Sequence, residues 1–251
     1  MLALSSPVSA EIKDAGEKEA EEGEAKDIVR EAIDYWRDNS SRVTATMEIK
    51  RKTWSRKSEL ESVTKGNDRS LVRFTAPAKD AGSASLTRGD EMWTYSPKTN
   101  RVIKIPSSMK GQSWMGSDLS YKDLSRADDI VDNYTHKVIG KAEDDHGLTV
   151  KIIESIPLED APIVWGREVL HIRSDNIILN HEFYDQDGVL VKRFRASDVK
   201  EMGGKIYPGT MRMERVDRPG EWTELVHKEV QFDVDVPDSR FTLSNLRNRR
   251  R

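Results

Sequence analysis

The side chains in this chain best able to do chemistry are its histidines, its carboxylates and the aromatic residues of one central stretch. The five histidines (His136, His146, His171, His181 and His227) are scattered, and none stands at metal-ligand spacing from a second histidine or a carboxylate on a helix. His181-Glu182 falls in a strand-like run, where neighbours point to opposite faces and cannot hold one ion together. Asp144-Asp145 and Asp185…Asp187-Gly188 carry fragments of a calcium loop without its full pattern or final Glu, and they read as turns. Neither a Gly-x-Ser-x-Gly elbow nor a phosphate loop occurs. These residues predict no catalytic set, no metal and no cofactor, and so a chain that is not an enzyme. What remains is binding chemistry. Gln112–Leu124 carries Trp114, Met115, Leu119, Tyr121 and Leu124, while Gly111, Gly116 and its serines break any strand pattern. This predicts a loop with at most a short helix around Tyr121–Ser125. An apolar loop of this length marks a lid or a binding loop, or else a plug of aromatics at one end of a sheet.

The elements that position this loop follow from periodicity. In Ala25–Asn39, Ile28, Val29, Ala32, Ile33 and Trp36 fall on one face at helical spacing, so one amphipathic helix is expected there. From Arg42 the period becomes two, and strands are expected over Val43–Thr53, Ser58–Val63, Ser70–Thr75, Ser83–Thr87, Glu91–Tyr95 and Arg101–Ile105. After the loop, a helical turn over Asp128–Asp132 precedes strands at Tyr134–Ala142, Leu148–Ser155, Arg167–Arg173, Ile177–Tyr184 and Val189–Ser197. Lys205–Pro208, Thr210–Val216, Trp222–Gln231 and a terminal Phe232–Leu243 segment complete the series. Turns such as Lys65-Gly66-Asn67-Asp68 and Asp185-Gln186-Asp187-Gly188 make the links antiparallel hairpins. With no helix between strands, βαβ units are excluded. The expected fold is mainly β: a single incomplete, unclosed antiparallel barrel or strongly curved sheet, wrapped around the N-terminal helix and the central loop, which serves as a lid.

Composition narrows the classes. Apolar residues make up 36% and charged residues 34%, a balance that suits a sheet with one wet face. The net charge of −3 is concentrated in Glu11–Glu24, where seven acids face two lysines; the rest of the chain is close to neutral. Lacking a basic stripe with interleaved aromatics, the chain is not expected to bind nucleic acid. Without cysteine there are no disulfides, thiol sites or lipid-modified cysteine. No apolar run is long enough to span a membrane, so a soluble protein is expected. Val8-Ser9-Ala10 fits a small-residue cleavage site, and Met1–Ala10 reads as the tail of a secretory signal. The expected organisation is therefore a signal remnant and acidic disordered linker over 1–24, one β domain over 25–246 and a basic tail over 247–251.

Phe74-Thr75-Ala76-Pro77, Met92-Trp93-Thr94-Tyr95-Ser96-Pro97 followed by Arg101-Val102-Ile103-Lys104-Ile105, and Met115-Gly116-Ser117-Asp118-Leu119-Ser120-Tyr121-Lys122-Asp123-Leu124 together resemble the LolA-like superfamily. The branch they resemble is that of the outer membrane lipoprotein-sorting proteins. Tyr184-Asp185…Gly188…Lys192 and Val236-Pro237-Asp238…Phe241 match its ending, so the likeness covers about Lys26–Leu246. The resemblance implies a periplasmic carrier, exported by an N-terminal signal, that hides acyl chains of a lipid or lipoprotein in an apolar cavity and shuttles them toward the outer membrane. It also implies an inner-membrane exporter of the resistance-nodulation-division type as a partner. The cavity and lid residues expected from the aromatic strands and the loop are Trp36, Trp93, Tyr95, Ile103, Ile105, Trp114, Met115, Leu119 and Tyr121. The type carrier of the superfamily holds its lid with an arginine, and Arg69 and Arg73 lie nearest the corresponding strand. The alternative is a periplasmic sensor or adaptor with the same fold, acting through a protein partner.

Overall fold

Alternating side chains produce thirteen strands in a computed structural model that describes residues 7–125 and 128–247, with side chains from residue 21 onward. They are β1 (Ser40–Lys50), β2 (Ser55–Lys65), β3 (Arg69–Ala76), β4 (Ala84–Arg88), β5 (Glu91–Ser96) and β6 (Arg101–Lys104), then β7 (Tyr134–Glu143), β8 (Thr149–Pro157), β9 (Arg167–Arg173), β10 (Ile178–Tyr184), β11 (Leu190–Met202), β12 (Lys205–Arg215) and β13 (Trp222–Phe232). All pair antiparallel in one sheet ordered β6-β5-β4-β3-β2-β1-β13-β12-β11-β10-β9-β8-β7. Two meanders, each built from consecutive hairpins, thus meet where β1 pairs with β13. The sheet stays open, with β6 and β7 as its edges.

Register fixes what shares a face. The row Ile153–Leu170–His181–Phe194–Met213–Thr223–Ile49 crosses from β8 to β1 through directly paired residues. Directly opposed residues point the same way, so this row defines one face, here called the inner face. At one end of it lies α1 (Pro7–Arg37), whose Ala25, Val29 and Ala32 are fully buried against Ile153, Leu170, Ile172 and Ile178. The short α2 (Asp129–Asp132) adds Ile130 and Val131 to that core. At the other end Ala45, Met47, Ile49, Leu60, Val72 and Phe74 pack beneath the loop that follows β6. On the outer face the row Val63–Leu71–Leu86–Trp93 is covered by the C-terminal segment through Val236, Phe241 and Leu246 of α3 (Leu243–Arg247) and the turn before it.

Three expectations change. The helix begins at Pro7 instead of Ala25, so Glu11–Glu24, expected as disordered linker, is helical backbone. Ala, Glu and Lys are strong helix formers, and a polar stretch can extend a helix whose anchoring face begins at Ala25. Residues 1–6 of the signal segment and 248–251 of the basic tail lie outside the described residues. Lys205–Arg215 is one strand where two were expected, because Gly209 continues the ladder: a Cβ there would meet Asp198 Oδ2 at 2.4 Å, so only glycine fits beside the bend at Asp198. Of the terminal Phe232–Leu243 segment only Phe232, the last residue of β13, is in the sheet. Asp233 takes a left-handed φ of 50°, Pro237 offers no donor, and the chain leaves the sheet for the outer face.

Leu170 sits with no exposed surface between α1 and the sheet. Leu170→Ala is expected to cost about 2–5 kcal/mol, read as a lowered urea midpoint with an unchanged slope.

Candidate functional site: a strap and an apolar strip on the inner face

Residues 105–133 must travel from one sheet edge to the other, and they do so across the inner face. Their middle folds back on itself. Trp114 N–H donates to Leu119 O (2.7 Å), Ser113 bridges Ser120, and Lys122 N–H donates to Lys110 O (2.8 Å). The reversal is made by Met115 and Gly116, with left-handed φ values of 53° and 77°. Such a conformation at a non-glycine residue carries strain that its surroundings must offset. Two arginines do this: Arg56 donates to the Met115 carbonyl, and Arg51 Nη2 donates to Gly116 O (3.1 Å). Arg51 Nη1 also meets Asp118 Oδ2 at 3.0 Å, with side chains only 11% and 1% exposed. Thr223 completes this anchor, donating to Asp118 Oδ2 (2.8 Å) and accepting from the Asp118 N–H (2.9 Å). A charge this deeply buried is stable only when paired and hydrogen-bonded, as it is here. Trp114 is buried beneath the strap, its Nε1–H donating to Ser85 Oγ (2.9 Å) and its ring 5.4 Å from Phe74.

The far end of the strap is held by a second ion pair. Lys192 Nζ lies 2.8 Å from both carboxylate oxygens of Asp123, which also accepts from the Ser120 N–H (2.6 Å) and hydroxyl (2.8 Å). The Asp123 backbone faces solvent while its carboxylate points inward, 15% exposed. Burial on its own raises the Asp123 carboxyl, but the Lys192 ammonium and the Ser120 donors outweigh it and hold the group below the usual carboxylate range. Lys192 also lies over the rings of Phe183 (4.3 Å) and Trp165 (5.3 Å). Beyond it Glu168 accepts from Tyr134 Oη and stands 2.5 Å from His181 Nε2. The carboxylate partner of His181 is thus a cross-strand neighbour, not the adjacent Glu182. Burial pushes the nearby His136 down to about 4.

Between α1 and the strap the middle of the inner face is only partly covered. Ala196 pairs with Met211, Met211 with Leu225 and Leu225 with Met47, and the first three are half-buried. Phe194, also half-buried, lies at the helix side, 5.9 Å from Trp36. At the strap side Met115, Leu119, Tyr121 and Leu124 are partly buried. These residues form an apolar strip running from the helix to the strap.

The nine residues expected to line a cavity are distributed as follows. Trp114, Met115, Leu119 and Tyr121 are together in the strap. Trp36 stands at the opposite end of the strip, against Phe194 and Tyr207. Ile103 is 56% exposed on edge strand β6, and Ile105 is buried just after it. Trp93 and Tyr95 share a face, as their spacing predicts, but it is the outer one, beneath the C-terminal segment. Sequence reasoning missed Phe194, Met211, Leu225, Arg51, Asp118 and Lys192. Alternation within the expected strand Thr210–Val216 puts Met211 and Met213 on one face, but nothing local says which face.

Relatives carry the same architecture. A family model described as an uncharacterized protein matches residues 66–248. The chain belongs to that family. Its fold is LolA-like, as the resemblance in its sequence implied. It is similar to the crystal structure of a DUF1329 family protein from Desulfovibrio piger, with a TM-score of 0.80 and 28% identity over 90% of this chain and 99% of that one. An outer membrane lipoprotein-sorting protein domain from Vibrio parahaemolyticus gives 0.79 and 23%, over 90% and 99%. A LolA superfamily protein from Nitrosomonas europaea gives 0.72 and 21%, over 88% and 98%. No curated protein matches. In this LolA-like chain Arg69 and Arg73 share the outer face with Leu71 and hold the C-terminal segment through Asp238 (2.9 Å) and Asn245 O (2.8 Å). The strap is gripped instead by Arg51 and Arg56, on the β1–β2 hairpin.

A depressed carboxylate stabilises the docked strap at pH values above its unfolded pKa and stops doing so as pH falls through the folded one. Strap docking by Asp123 is therefore expected at neutral pH and lost on acidification below the ordinary Asp value of about 3.9. Hydrogen exchange over 113–121 is expected to accelerate in that range, whereas over α1 and β8 it is expected to begin accelerating at higher pH, as pH falls from 6.5 toward the folded His136 value of about 4. In Lys192→Met the same amides are expected to exchange fast at pH 7.

Proposed function

We propose that this protein is a periplasmic carrier that binds the acyl chains of a lipid or lipoprotein along the inner-face strip and takes them toward the outer membrane. The observation that carries the reading is the half-buried row Phe194, Ala196, Met211 and Leu225, left between two covers that are each firmly docked. Each methylene moved from water onto such a surface contributes about 0.8 kcal/mol, enough for an acyl chain to bind and still be released. The fold supports the reading too, since the lipoprotein-sorting protein domain from Vibrio parahaemolyticus and the LolA superfamily protein from Nitrosomonas europaea share it. Among the described residues no helix is long and apolar enough to cross a membrane. We assign the strap the role of gate, with Met115, Leu119 and Tyr121 as its ligand side and Arg51 with Asp118 as its hinge anchor. An inner-membrane exporter of the resistance-nodulation-division type is proposed as the donor or acceptor of cargo.

Solvent extraction of the purified protein followed by mass spectrometry is expected to release a lipid in stoichiometric amount. Trp114 is core, so variants there report folding first; Met211→Asp and Leu225→Asp place a charge on the strip while leaving both covers intact. Both are expected to lower affinity for a fluorescent fatty acid at least tenfold, which is about 1.4 kcal/mol. Unchanged affinity in folded variants, with an empty extract, would favour a sensor or adaptor that works through a protein partner.

A further inference from the structure

One cation at the helix end of the strip lacks the partners its burial calls for. Arg37, in the last turn of α1, makes a single hydrogen bond, from Nη2 to Asn67 O (3.2 Å). Its Nε is out of contact with solvent and has no partner, and the side chain makes no ion pair among the described residues. A guanidinium offers five N–H donors, and buried ones left unmade are costly. The groups whose charge acts on it are the Tyr207 hydroxyl and the carboxylates of Asp128 and Asp68. Burial lowers its pKa from the ordinary value while these groups oppose the shift, and an arginine stays charged through such a change. Arg37 connects to the strip through Tyr207, which feels its charge and against which Trp36 packs (5.3 Å) while Trp36 also meets Phe194. Its position at a helix C-terminus accounts for a cation there, but not for a buried Nε–H left without a partner.

Resting on the carrier reading, we propose that Arg37 anchors the anionic head, carboxylate or phosphate ester, of an amphiphile whose single chain lies along Phe194, Met211 and Leu225. Two oxygens on one atom match two guanidinium N–H groups held in a fixed fork. An acylated lipoprotein terminus brings no such anion, so this charge selects a lipid acid over a lipoprotein.

The test compares four ligands of one chain length, palmitate, hexadecyl phosphate, hexadecanol and methyl palmitate, on the unaltered protein, Arg37→Met and Arg37→Lys. The unaltered protein is expected to bind the acid or the phosphate about ten- to a hundredfold more tightly than the alcohol and the ester. Which of the two anions binds better tells carboxylate from phosphate recognition. Arg37→Met is expected to erase the preference and keep the binding of hexadecanol, while Arg37→Lys restores part of it. Equal binding of all four ligands, or a preference that survives in Arg37→Met, overturns the anchor and leaves the carrier reading standing. Binding of none of the four overturns both. Should Arg37→Met fail to fold, the ligand series on the unaltered protein and on Arg37→Lys decides.

Discussion

The fold depends on one geometric constraint: β6 and β7 are consecutive in sequence yet occupy opposite edges of a thirteen-stranded sheet. Twelve strand spacings of about 4.8 Å would set the edges of a flat sheet ~58 Å apart. The strap that joins them closes on itself between Lys110 and Lys122, which leaves ~16 residues for reach. Counted as Cα steps from β6 to the closure and from it to β7, and adding ~5 Å across the closed pair, the reach is ~64 Å fully extended at ~3.3 Å per step, and α2 and two 3-10 turns shorten it to ~50 Å. A flat sheet therefore cannot be connected, and the sheet must bend until its edges come within range. The bend wraps the sheet around the strap and α1, and it gives the inner face its separate character.

The two faces solve different problems. Outside, from β8 to β13, charges pair across strands: Arg167 with Glu154, Arg193 with Glu182, Arg195 with Glu214 and Arg212 with Glu224. Pairs this exposed contribute little stability each, but they keep the outer face wet and unsuited to association. Inside, stability comes from two apolar clusters, one under α1 and one under the strap. Strands β3 to β5 are the exception. They carry the strap on one side and the C-terminal segment on the other, so Leu71 and Val72 are both buried although they point in opposite directions.

That exception explains where the sequence was legible. The helical face of Ile28, Val29, Ala32, Ile33 and Trp36, the hairpin turns and the loop at Gln112–Leu124 follow from local periodicity and turn chemistry, and the structure keeps them. Whether a same-face pair looks inward depends on strand order, which periodicity does not carry. Trp93 and Tyr95 were readable as companions but not as outer-face companions. The same limit hid the polar anchors. His181 and Glu168, Lys192 and Asp123, and Arg51 and Asp118 are brought together by cross-strand register or by the strap, over separations of 13, 69 and 67 residues. No local pattern of residue types marks such pairs.

The anchors also explain why the strip stays open. For the strap to slide over Met211 and Leu225 it would have to leave Thr223 and Lys192, stranding Asp118 at one end or Lys192 at the other as an uncompensated buried charge. Breaking a buried pair in this way costs about 3–5 kcal/mol, more than burying a few half-exposed side chains returns. For α1 to move toward the strap, Val29 and Ala32 would have to leave Ile153 and Leu170. Each cover touches only its own end of the strip, Trp36 at Phe194 and the strap cluster at Leu225, and is held there by contacts elsewhere, so the apolar surface between the two ends stays half-buried.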